Sequence, residues 1–92
     1  MAITAQQYIT RRTNIITSIH NDYETLVTWG HKEFVPLDKL TSIDRSVVVL
    51  SGFSSVRDML EDVRKTIERK KKGLIRIERK IDKILNNKIW QE

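Results

Sequence analysis

Ten positions in the C-terminal half of the chain alternate at spacings of three and four residues: Phe53, Val56, Leu60, Val63, Ile67, Lys70, Leu74, Ile77, Ile81 and Ile84. All but Lys70 are apolar. An α-helix turns once in 3.6 residues, so this alternation gathers the set on one face, which the period of two of a strand cannot do. Roughly four and a half heptads of such regularity predict a helix that pairs along its length. Ser55 followed by Asp58 has capping-box spacing, with the shorter acid in place of glutamate. The predicted helix therefore runs from about 55 to 88, roughly 50 Å at 1.5 Å per residue. Gly73 lies inside it and costs about 1 kcal/mol relative to alanine without having to break it.

The rest of the chain reads as two further helices. From about 4 to 29, Ile9, Ile16, Ile19, Tyr23 and Leu26 share one helical face, widened by Ile15 and Val27. Thr4 is the expected N-cap and Gly30 the C-terminal stop, in left-handed dihedrals. Many threonines and β-branched residues lower the intrinsic helicity of this segment, so packing must supply its stability. Between Pro36 and Leu50, Leu40, Ile43, Val47 and Leu50 keep heptad spacing, and Pro36 with Asp38 suits a first helical turn. The competing reading is a two-stranded hairpin at about 33–50, pairing Phe34-Val35 with the β-branched run Val47-Val48-Val49. Helix is preferred because its spacing extends over more of the segment. With 92 residues there is room for one domain. The expected fold is all-α: a helical hairpin with a short middle helix and a long C-terminal heptad helix.

A seam of this kind either closes an ordinary hairpin within one chain or grips a second helix. The first helix, at about 39 Å, is too short to cover all of the third. This favours a homo-oligomer, a dimer first, or a partner helix, through Leu60, Val63, Ile67, Leu74, Ile77, Ile81 and Ile84. Trp90 near the C-terminus is added as an interface anchor, and Trp29 is expected to close the core. Ile75, Leu85 and Ile89 add apolar surface off the seam. Lys70, at a core-type position, either selects register or oligomer state by its charge or carries its amine out to water along its stem, and the second is preferred.

Charge is distributed unevenly. Residues 1–63 hold six Lys/Arg against eight Asp/Glu, and residues 64–92 hold eleven against four. Within the basic part, Lys65, Arg69, Lys72, Arg76, Arg79 and Lys83 repeat at four, three, four, three and four, on the face opposite the seam. A straight row of cations, about 27 Å long, matches a nucleic-acid backbone, an acidic protein or anionic headgroups. It also matches a merely solvated face, partly neutralised by Glu61–Lys65 and Glu68–Lys72 pairs and offset by Glu78 and Asp82. No aromatic residue is interleaved with it, which argues against base stacking on single strands.

Other chemistry finds no support. There is no cysteine, hence no disulfide or thiolate site. His20 and His31 lack the spacing of a metal pair, and Asp22 and Glu24 are placed on other helical faces than His20, so no metal ligand is expected. No phosphate loop or nucleophile–base pattern occurs among the scattered serines and histidines. The chain is not expected to be an enzyme, to carry a cofactor or to take a small-molecule substrate. No apolar run approaches a membrane span, and the first residues lack the features of a signal peptide. A cytoplasm, or a virion assembled in one, fits the absence of cysteine. The compact, Ile/Lys/Asn-rich style suits a phage or mobile-element protein. The expected function is therefore a small oligomeric adaptor, inhibitor or assembly factor, with nucleic-acid binding through the basic row as the alternative.

Overall fold

A computed structural model describes the backbone of residues 4–90 and the side chains as far as residue 86. Of the described residues 86% are helical and none is in a strand. The fold is all-α, and the hairpin alternative for the middle segment is not formed. Helix α1 spans Ala5–Trp29, α2 Ser42–Leu50 and α3 Val56–Trp90, with 3-10 turns at Gly30–Lys32 and Leu37–Lys39. The molecule is a rod of 65 × 21 × 16 Å. Its radius of gyration, 18.8 Å, exceeds the roughly 12–13 Å of a globule this long.

Local signals set the ends of the helices. Thr4 and Gln7 form a reciprocal capping box: the Gln7 N–H donates to Thr4 Oγ1 and the Thr4 N–H to Gln7 Oε1. At α3, the Asp58 N–H donates to Ser55 Oγ at 3.0 Å, while the Asp58 carboxylate accepts from the Ser54 hydroxyl, so only half of the expected box is made. Gly52 holds φ at 88° and terminates α2. The Phe53 N–H donates to the Val48 carbonyl and the Gly52 N–H to that of Val49. Those are the two bonds of a Schellman motif, and a side chain at Gly52 would strain it. Gly30, expected to be left-handed, is instead right-handed (φ −56°, ψ −39°), because α1 tightens into a 3-10 turn rather than stopping.

α1 runs antiparallel to α3 and packs along it. Tyr8 lies beside Lys80, Tyr23 beside Lys71, and Glu33 just past α1 beside Arg64. α1 reaches only part of the seam, and the first turns of α3 are covered by the middle segment. There Leu40, Val48, Val56, Met59 and Leu60 form the main core, backed by Leu26, Trp29, Val35, Leu37 and Phe53. Ile19, Ile67 and Ile81 are buried further along the hairpin.

Two faces differ from expectation. On α1 the buried side is rotated toward Tyr8, Arg12, Ile15 and Asp22, leaving Ile16, Tyr23 and Val27 more exposed. The middle segment breaks at Leu40, which is extended, and α2 starts afresh from the Thr41 cap. Consequently Leu40 is buried, but Ile43, Val47 and Leu50 face solvent, at 75%, 42% and 86% exposure, while Val48 faces the core. The shared spacing of these residues was real, but α2 turns that face outward.

Urea unfolding checks this arrangement. Leu60→Ala, at a site with no exposed surface, should cost about 2–5 kcal/mol. Leu50→Ala, measured at a concentration dilute enough to keep the chain monomeric, should stay within about 0.5 kcal/mol. An added Cβ at Gly73 meets nothing within 4 Å, so Gly73→Ala should add about 1 kcal/mol. Equal losses at Leu50 and Leu60 would mean that α2 sits the other way round.

Candidate interaction surfaces

The seam residues lie between helices of the same chain. Leu60, Ile67 and Ile81 are buried, and Val63, Leu74, Ile77 and Ile84 are half-buried. The Trp90 side chain lies outside the described residues. Ile75 and Leu85 stand at the flanks, about half exposed.

Lys70 does not carry its charge out to water. Its Nζ donates to Asp22 Oδ2 and to Ser18 Oγ, each at 2.6 Å, and both charged side chains keep less than a third of their surface exposed. The spacing of Ser18 and Asp22, four residues apart on α1, lets one amine reach both. Such a bond forms in one alignment of the two helices. A slip by one turn would strand a half-buried ammonium and a half-buried carboxylate, so the pair sets the register.

Other basic residues of α3 also turn toward the rest of the chain. Arg64 binds Glu33 at 2.6 Å. Lys71 sits 5.4 Å from the centre of the Tyr23 ring, and Lys80 5.6 Å from that of Tyr8, which also carries Arg11. Lys32 joins the 3-10 turn to α2 through Asp44 at 2.6 Å, and Arg45 donates to the carbonyls of Leu37, Asp38 and Leu40. These bonds hold the middle segment against the end of the hairpin.

Lys65, Arg69, Lys72, Arg76, Arg79 and Lys83 are left over, and all six are exposed. At 100° per residue they fall within about 80° of arc. The expected Glu61–Lys65 and Glu68–Lys72 pairs do not form, since Glu61 takes Arg57 at 3.2 Å and Glu68 takes Lys71 at 3.7 Å. Glu78 and Asp82 are turned about 100–140° away from the centre of the row, and Asp62 borders its start. Among the described residues no carboxylate lies within ion-pairing distance of the six.

The outward face of α2, formed by Ile43, Val47 and Leu50, is a further surface that the fold leaves uncovered, as are Ile16, Tyr23 and Val27 on α1. Sequence periodicity identified the residues of both sets but assigned them inward. His20, placed on a different face from Glu24, in fact shares one with it: Nε2 lies 3.1 Å from Glu24 Oε1, as spacing i,i+4 dictates. Among the described residues no three His, Asp or Glu side chains converge on a metal-sized site, and no helix is long and apolar enough to cross a membrane. No protein-family model matches the chain, and neither a curated protein nor a solved structure is significantly similar to it.

The ion pairs that close the hairpin give it a defined acid response. Arg64 holds the Glu33 carboxyl below its ordinary value of 4.5, by its hydrogen bond first and its charge second, against partial burial, with Arg57 adding to the effect. Lys32 does the same for Asp44, aided by Thr41. A depressed carboxylate stabilises the fold above its unfolded value, and that stability is lost as pH falls through the folded value. The melting temperature should therefore decline as pH drops below about 4.5. In Glu33→Gln/Asp44→Asn that decline should be visibly shallower, and an unchanged acid profile would show that neither pair supports the fold.

Proposed function

We propose that the protein is a non-enzymatic interaction protein, an oligomeric adaptor that pairs with a second copy of itself through the outward face of α2. The observation that carries this reading is a row of large aliphatic side chains, Ile43, Val47 and Leu50, standing in solvent on one side of a helix whose other side already closes the core. Each such side chain gains about 1.5–3 kcal/mol when buried, and contiguous apolar surface on a soluble protein marks a contact site. The face carries no charge. Two copies related by a two-fold axis therefore bury the same residues with no like charges opposed. The seam of α3 is already occupied by α1 and the middle segment, and two basic rows would repel each other.

Light scattering tests the proposal. The expected mass is twice 10.8 kDa for the native chain and a single copy for Ile43→Asp/Leu50→Asp, with helicity retained and a melting temperature lowered only by the lost association. Ile77→Asp serves as the contrasting variant, because a charge inside the hairpin should unfold the monomer rather than release a folded one. A native chain that scatters as a monomer, or a double variant that remains a dimer, overturns the proposal. A partner protein that binds the monomeric native chain and is lost in the double variant would assign the face to a different occupant.

A further inference from the structure

The outer row of α3 lies far from α2 along most of the rod and has its own chemistry. We infer that Lys65, Arg69, Lys72, Arg76, Arg79 and Lys83 form a binding site for the phosphate backbone of a nucleic-acid duplex, independent of base sequence. The row is straight because α1 braces α3 over most of its length, so the helix sets the places of the cations in line before any ligand arrives. All six are exposed, and none is engaged by a carboxylate among the described residues. Steps of three and four residues space them by about 4.5 and 6 Å, and a duplex offers each strand's phosphates every 3.4 Å along its axis.

The hairpin topology adds to the field. Because α1 is antiparallel, its N-terminal half lies beside the C-terminal half of α3. Residues 4–20 and 70–86 together hold nine Lys/Arg and two Asp/Glu. Lys80 and Arg11 share the Tyr8 ring at 5.6 and 6.0 Å, which fixes both cations at this end of the rod. A strongly positive half-rod attracts a polyanion before any contact forms.

The makeup of the row selects among anionic partners. From Lys65 to Lys83 its arc contains no aromatic residue on which an unpaired base could stack. It contains no apolar residue that could enter a bilayer interface. It also lacks the aromatic or aliphatic anchors around which protein interfaces are built. What remains is a series of point charges, which reads the regular charge of a duplex backbone and nothing finer.

The test is fluorescence anisotropy with an end-labelled, mixed-sequence DNA duplex of about 20 base pairs, ~68 Å long. Five or six phosphate contacts should give a slope of log affinity against log salt of about −4.5 to −5.4, so that affinity falls roughly 500- to 2,000-fold from about 50 to 200 mM salt. A duplex of unrelated sequence should bind equally well. Arg76→Gln/Arg79→Gln should reduce the slope by about two with unchanged circular dichroism, and Arg76→Lys/Arg79→Lys should restore it. Ile43→Asp/Leu50→Asp should still bind duplex, so that this site and the α2 contact fail separately. Absence of binding at low salt overturns the proposal, as does a slope that the Gln variant leaves unchanged. Tighter binding of the matching single strand, of phosphatidylserine vesicles or of polyglutamate overturns it too.

Discussion

The structure depends on covering one apolar seam that is longer than any neighbour available to it. α3 has 35 residues and α1 has 25, so a two-helix hairpin leaves about ten residues, some 15 Å, unserved. The chain meets this shortfall with its middle segment, folded back over the first turns of α3 so that Val48 meets Val56, Met59 and Leu60 in one cluster. That cluster holds the largest fully buried side chains, Leu60, Val48 and Val56, and beyond it the hairpin is a thin two-helix layer. Stability is thus concentrated at one end of the rod, and the Schellman turn at Gly52 matters because it brings α2 back onto α3 at that point.

Basic residues of α3 serve two purposes according to the direction in which they point. Arg64, Lys70, Lys71 and Lys80 contact acids, hydroxyls or aromatic rings elsewhere in the chain. The six cations of the outer row contact no acid among the described residues. A helix can hold both sets because its period separates residues only one or two apart onto different faces. Lys70, Lys71 and Lys72 are consecutive, yet the first bonds Asp22 and Ser18, the second sits on Tyr23, and the third is in the row.

The parts of this fold that were legible in the sequence are those set by local periodicity: three helices, the approximate ends of the first and third, the seam and the cationic row. What was not legible depended on contacts between distant residues. Lys70 and Asp22 are separated by 48 positions, and neither residue alone distinguishes a cross-helix bond from a side chain stretched to solvent. Leu40, Ile43, Val47 and Leu50 have the spacing of a buried face, but spacing names a face and not the side on which the core will be. The extended conformation at Leu40 decoupled the first of them from the other three. Gly30 kept right-handed dihedrals because the chain continued into a turn bonded to Glu33, a choice determined by where the next segment had to go. For the surfaces, the residues of the row could be read directly, whereas the exposure of α2 required the packed chain.

The outer row also places the helix under electrostatic tension. Each of its cations has a like charge three or four residues away, and such a neighbour costs a helix a few tenths of a kcal/mol in water. Along the whole row this amounts to about 1–2.5 kcal/mol held in the folded state. Mobile ions screen it, and so would any fixed array of negative charge laid against it. Added salt should therefore relieve this strain, as it also screens the ion pairs of the hairpin, while weakening a polyanion's grip. The helix would be least strained when its outer face is covered, so occupancy and rigidity would rise together.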